Sequence, residues 1–156
     1  MKVALWCLGK NPIAYLETGI DFYQKKINHY LPFELQIIPI PKAKKNEAPA
    51  AIKQIEADLI LKKLKPEDRL ILLDEGGKKY NSRGFSDFLQ QQFHLGSGRL
   101  IFLIGGAFGF DQSIYNRAVG KVSFSDMTFN HLMFRLIFLE QLYRAMSIQK
   151  GEPYHH

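Results

Sequence analysis

One cysteine, Cys7, stands among 156 residues, so no intramolecular disulfide can form and packing must hold the fold. The lone thiol lies inside an apolar run and suits a reducing, cytoplasmic setting. No Cys/His cluster has the spacing of a zinc site, and no metal is expected. Long apolar runs are missing too: LILL and RLIFLIGG are far too short to cross a bilayer. The N-terminal MKVALWCLGK has one lysine and a short apolar run but no small-residue cleavage site, so it reads as a first strand, not a secretion signal. GGKK lacks the upstream glycine and the following Ser/Thr of a phosphate-binding P-loop. No internal repeat, low-complexity tract or linker divides the chain, and one domain over 1–156 is expected. Acidic residues are the minority, 15 against 21 Lys and Arg, for a net charge of +6. That balance permits a nucleic-acid partner without requiring one.

What is present is an alternation. Strand-like runs at 3–8, 34–40, 69–74, 99–106 and 121–125 are separated by helical patterns from Asn11-Pro12 to 28, then 48–64, 82–94, 111–119 and 129–148. Asn11-Pro12 reads as a cap followed by proline at the first helical position, Asn81 or Ser82 caps the third helix, and Asp111 the fourth. The runs at 69–74 and 99–106 are continuously apolar, as strands covered on both faces are. The pattern predicts an α/β fold, a mostly parallel sheet with helices on both faces. Ligands of such sheets lie at the carboxyl ends of the strands, where the loops Asp74–Asn81, Gly105–Phe110 and Ser125–Phe129 should meet.

These loops carry the local signals. LIGGAFGFD follows a buried strand and precedes an Asp-capped helix, so its glycines serve either a tight turn or a close backbone approach to a ligand. The spacing G-G-x-x-G, on the fourth strand, departs from the dinucleotide fingerprint. In LLDEGGKKYNS, Asp74 suits a ribose or amine partner or simply caps a turn, and Gly76 to Lys79 suit a phosphate. In the last helix Leu132, Leu136, Leu139, Leu142 and Met146 form an apolar stripe. His131 and Arg135 share a helix face, as do Glu140 and Arg144, whose simplest reading is a modest surface pair.

As a set, LLDEGGK, FLIGGAFGF, FSDMTFNH, R-x4-EQLYRA and EPYHH resemble, in order and spacing, the bacterial ribosomal large-subunit pseudouridine N3-methyltransferases, small members of the SPOUT class. The resemblance runs over essentially the whole chain and is strongest in its C-terminal third. One departure is Asn130, where many relatives have proline before the histidine; asparagine still permits the turn. The resemblance implies a C-terminal trefoil knot, S-adenosylmethionine as methyl donor, a homodimer, and a pseudouridine of 23S rRNA in assembled ribosomes as substrate. The family's three donor loops match Leu73, Gly105 and Phe124, Ser125, Asp126, Met127, Thr128 and Phe129 here. The terminal PYHH then reads as a native ending. His155 suits a general base, Arg144 a stabiliser of negative charge on a base oxygen, and Tyr154 a stacking or hydrogen-bonding partner of the target base. His131 would orient the loop or touch the donor. Lys42, Lys44, Lys45, Lys78, Lys79 and Arg83 become candidate RNA phosphate contacts. Two rivals stay open: a non-catalytic RNA-binding module on the same fold, and a doubly wound dinucleotide-dependent oxidoreductase. A SPOUT methyltransferase acting on transfer RNA is a variant of the first reading.

Overall fold

A computed structural model describes residues 1–155. Five strands form one sheet in the order β2-β1-β4-β3-β5, and every pairing is parallel. They are β1 (Val3–Leu8), β2 (Phe33–Ile38), β3 (Arg69–Lys79), β4 (Leu100–Ile104) and β5 (Gly120–Ser123). The helices are α1 (Ala14–Asn28), α2 (Pro49–Lys63), α3 (Ser82–Leu95), α4 (Gln112–Arg117) and α5 (His131–Gln149), with a 3-10 turn at Pro153–His155.

The two-residue period of β1 sorts the core. Val3, Leu5 and Cys7 face a cluster with Leu16 and Ile20 of α1, Phe85 and Leu89 of α3, and Phe138, Leu139 and Leu142 of α5. Ala4, Trp6 and Leu8 face the other way, against Ala57 and Ile60 of α2 and Ile114 of α4. Every β1 residue is buried, which explains a run with no polar alternation. The apolar stripe of α5 lies on the first cluster: Leu139, Leu142 and Met146 are buried, and Leu132 and Leu136 pack at its margin.

Asn81 caps α3 by accepting from the Gly84 amide at 2.8 Å, and Asp111 caps α4 through the Ser113 amide at 2.9 Å. Asn130 caps α5, taking the Leu132 amide at 2.9 Å. Two readings change. The first helix does not start at Asn11-Pro12: Ile13 is the extended cap residue, and its carbonyl accepts from the amides of Leu16 and Glu17. The stretch after Asp74 is not all loop, because β3 continues to Lys79 and pairs with β5 a second time at Lys78–Val122 and Lys79–Ser123.

Cys7 is fully buried. Burial pushes its thiol up from the ordinary 9.0 to about 12, against a downward pull from the Arg135 charge. A folded value above the unfolded one gives a contribution that is complete below pH 9 and fades as pH rises toward about 12. Cys7→Ala is therefore expected to flatten the decline of the urea midpoint over that window, and the native thiol should react with a disulfide reagent at pH 8 only as fast as the protein opens.

Candidate active site

The carboxyl ends of β3, β4 and β5 converge on a cavity of about 290 Å³. Leu73, Asp74 and Glu75 close one side, the Gly105–Phe110 turn a second, and Phe124, Ser125, Met127, Thr128 and Phe129 a third. His131 and Phe134 reach it from the first turn of α5. A neighbouring hollow of about 320 Å³ shares Phe124 and Phe129 as a wall and extends to Tyr80, Ser82 and Gln141.

Hydrogen bonds fix this rim. Tyr115 donates to Asp74 at 3.3 Å, and Thr128 donates to Glu75 at 3.1 Å, tying the third loop to β3. Burial first, then the Asp74 charge, raises the Tyr115 phenol above its usual range, so it stays protonated as a donor. The Met127 amide donates to the Ser125 hydroxyl at 2.9 Å. Gly109 has φ +78°, and its amide closes the turn onto the Gly106 carbonyl at 3.3 Å. A side chain would be strained there. Gly77 is needed for a different reason: a Cβ on it would lie 2.6 Å from the Val122 backbone, so glycine lets β3 and β5 pair beyond the bulge.

Of the expected donor-loop residues, Leu73, Gly105, Phe124, Ser125, Met127, Thr128 and Phe129 line the cavity. Asp126 does not: it sits outside the lining, largely exposed, and pairs with Lys79. His131 and Arg135 also part company. His131 lines the cavity, whereas Arg135 is 1% exposed and donates to the Lys10 carbonyl at 2.7 Å, tying α5 to the segment that follows β1.

The second group lies at the other end of α5. Arg144 donates from Nε and Nη2 to Glu140 Oε1 at 3.0 and 2.6 Å, and its Nη1 is 3.3 Å from His155 Nδ1. Its guanidinium carbon sits 4.8 Å from the Tyr154 ring centre. The Tyr154 hydroxyl donates to Glu140 Oε1 at 3.1 Å. Arg144, Tyr154 and His155 are thus brought together, while His156 lies outside the described residues. The Glu140–Arg144 pair is no isolated surface contact: both side chains are about three-quarters buried, and Gln141 donates to the other Glu140 oxygen at 2.8 Å. The hydrogen bond from Arg144 to Glu140 holds the guanidinium charged above its already high range. Tyr23 of α1, whose hydroxyl is 3.2 Å from that of Tyr154, carried no sequence signal because 131 residues separate them. Tyr30 closes the set, hydrogen-bonded to Glu152.

The basic candidates divide by occupation. Lys42, Lys44 and Lys45 are exposed in the loop after β2, at the same end of the sheet as the cavity. Arg83 is exposed at the start of α3, Lys78 lies over the Tyr80 ring at 5.0 Å, and Lys79 holds Asp126. Among the described residues no cluster of His, Cys, Asp and Glu could hold a metal ion, and no helix is long and apolar enough to cross a membrane.

A cavity framed by three loops at the ends of adjacent parallel strands, with a glycine turn in the middle loop, is the geometry of a small-molecule site in an open α/β sheet. Residues 1–155 match the family model described as predicted SPOUT methyltransferase, and the chain belongs to that family. It is 47% identical to the ribosomal RNA large subunit methyltransferase H of Parabacteroides distasonis over 100% of this chain and 99% of that protein. It is 49% identical to the proteins of the same name from Flavobacterium johnsoniae and Cytophaga hutchinsonii, over 100% of this chain and 99% and 100% of theirs.

The second pairing of β3 with β5 positions the Glu75, Lys79 and Phe124–Phe129 side of this site. Gly77→Ala forces a Cβ against the Val122 backbone, and a stability loss of about 1–3 kcal/mol is expected by urea denaturation. An unchanged midpoint would show that the second pairing does not depend on the glycine.

Proposed function

We propose that the chain is an S-adenosylmethionine-dependent methyltransferase that methylates N3 of a pseudouridine in the 23S rRNA of assembled ribosomes, working in the cytoplasm as a homodimer of single-domain protomers. The observation that carries this is the pairing of a three-loop cavity with a tail cluster of Arg144, Tyr154 and His155 in a chain nearly half identical, end to end, to named ribosomal RNA methyltransferases.

The residues present fit the donor. The cavity is lined by Gly105 and Ser125, by the apolar Leu73 and Phe129, and by Asp74 and Glu75, whose carboxylates suit a cationic or ribose-bearing ligand. When bound, the donor supplies an electrophilic methyl on a positively charged sulfur. The chain's own groups must then handle the acceptor. As the N3–methyl bond forms and the carbon–sulfur bond breaks, the imide proton has to leave, and His155 is the group suited to take it. Arg144, locked by Glu140 in its charged form, faces the negative charge that develops on the neighbouring base oxygens. Tyr154 offers its ring to the target base. His131, at the cavity edge, steers the third loop or the donor.

The two halves of the site are not together in one protomer. Arg144 follows His131 by thirteen positions along α5, about 20 Å along a helix at 1.5 Å per residue. A homodimer in which the tail cluster of one protomer completes the cavity of its partner resolves the separation. Exposed Ile13, Tyr15 and Phe22 near or on α1 and Met133 on α5 are apolar surface in keeping with such an interface. A knotted C-terminal topology is what the resemblance implies, and α5 follows the edge strand β5 to pack against both α1 and α3. Lys42, Lys44, Lys45, Lys78, Lys79 and Arg83 then serve as phosphate contacts, and the folded ribosome supplies the selectivity that a small basic surface lacks.

Labelled S-adenosylmethionine offered with ribosomes from cells lacking this enzyme should yield N3-methylpseudouridine, whereas naked large-subunit RNA and transfer RNA should stay unmethylated. The donor alone should raise thermal stability, by about 2.7 kcal/mol at one hundred times its Kd. Donor binding without transfer to any RNA would sink the substrate assignment, and stabilisation by a dinucleotide in its place would sink the class. Mixed dimers test the shared site: a tail-deleted chain and a Gly105→Trp chain, each inactive alone, should recover activity together, and no recovery would confine the site to one protomer.

A further inference from the structure

Tyr23 lies on α1, 131 residues from the tail, yet it ends a continuous chain of hydrogen bonds that reaches the tail cluster. The Tyr154 hydroxyl donates its one proton to Glu140 Oε1 at 3.1 Å and lies 3.2 Å from the Tyr23 hydroxyl. A phenol that has given its proton to a carboxylate receives one from its other neighbour, so Tyr23 donates and both roles of the Tyr154 hydroxyl are engaged. Glu140 Oε1 also receives Nε and Nη2 of Arg144, while Oε2 receives Gln141. Arg144 is held on three sides, by Glu140, by the Tyr154 ring beneath it and by the approach of Nη1 to His155 at 3.3 Å. Among these partners Tyr23 comes from a helix other than α5, so it references the cluster to the body of the fold. Its own ring is fixed edge-on by Phe22, with centroids 5.1 Å apart, and packs against Tyr143 at 5.9 Å.

We propose that Tyr23 is a positioning residue for methyl transfer: acting through the Tyr154 hydroxyl and the Glu140 carboxylate, it aims the guanidinium of Arg144 and, through it, His155. The Tyr154 hydroxyl then serves geometry, leaving its ring for the substrate and proton acceptance to His155. In support, burial and the Glu140 charge raise the Tyr154 phenol well above its usual range, which keeps it protonated. Guanidinium misplacement by a fraction of an ångström weakens a transition-state contact far more than it weakens substrate binding. The proposal rests on the catalytic reading above, and its test separates the two.

Methyl transfer to unmodified ribosomes would be measured for Tyr23→Phe, Tyr154→Phe and the double variant, with thermal unfolding as a check on the fold. The side-chain Nε–H signal of Arg144 would be followed by NMR in the ribosome-free protein. Tyr23→Phe is expected to lower kcat about 10-fold with donor KM unchanged within about twofold. In the Tyr154→Phe background it should cost nothing further, because the chain is already cut. Tyr154→Phe should keep both limbs of the wild-type pH–rate profile, and Tyr23→Phe should broaden or shift the Arg144 signal. Wild-type kcat in Tyr23→Phe, additive losses in the double variant, or loss of a limb in Tyr154→Phe would each overturn the proposal. Glu140→Gln cuts the next link and should give a comparable kcat loss; unchanged kcat there overturns the chain even if Tyr23→Phe fails to fold. Should the wild type transfer no methyl group, the functional reading fails, and the Arg144 signal still decides the clamp: an unmoved signal in Tyr23→Phe refutes it.

Discussion

The parallel pairing of β5 with β3 is the constraint on which the site depends. β5 has four residues at the sheet edge, yet it must deliver the Phe124–Phe129 loop to the strand ends and launch α5 back across the sheet. It does so by pairing with β3 twice, on either side of a bulge between Leu73 and Lys78. The backbones approach so closely at Gly77 and Val122 that no other residue fits without movement. Thr128 to Glu75 and Asp126 to Lys79 add side-chain ties along the same seam. The Lys79–Asp126 pair is largely exposed, and pairs of that kind contribute little to stability. Its effect is to hold a loop in place.

From that seam α5 carries the candidate site residues in two portions. Its capped first turn brings His131 and Phe134 to the cavity, and its last turns carry Glu140 and Arg144 to the tail. The middle of the helix is core, with Phe138, Leu139 and Leu142 fully buried against the sheet. Arg135, also buried, bonds the Lys10 carbonyl and ties the helix to the segment that follows β1. A rigid helix of 19 residues thereby keeps the two portions at a fixed distance. The two portions therefore stay about 20 Å apart along the helix axis.

The tail shows how a chain end acquires order. Short ends fray unless they are tied down. Here Tyr154 packs on Tyr143 with centroids 4.6 Å apart, Glu152 bonds Tyr30, and the Tyr154 hydroxyl is shared between Tyr23 and Glu140. The contacts are aromatic and hydrogen-bonded, which fixes side-chain direction more closely than apolar packing alone.

The sequence by itself determined the alternation of strands and helices, because hydrophobic period and local caps act within a few residues. The buried runs of β1, β3 and β4 and the caps Asn81 and Asp111 were all legible in this way. Motif order located the Gly105–Phe110 turn and the Phe124–Phe129 loop that frame the cavity. Element ends were less legible. Ile13 displaced Asn11-Pro12 as the start of α1, and β3 ran on through residues that look like a loop, because a partner strand 40 or more residues away supplied the hydrogen bonds. Tertiary structure alone decided that Asp126 turns to Lys79 and away from the cavity, and that Arg135 is buried while His131 reaches the site. It alone joined Tyr23 to Tyr154 and made a helix-surface pair, Glu140–Arg144, the centre of a cluster. These are contacts between residues far apart in the chain, set by how helices cross a shared sheet, and no local pattern encodes which side chains meet there.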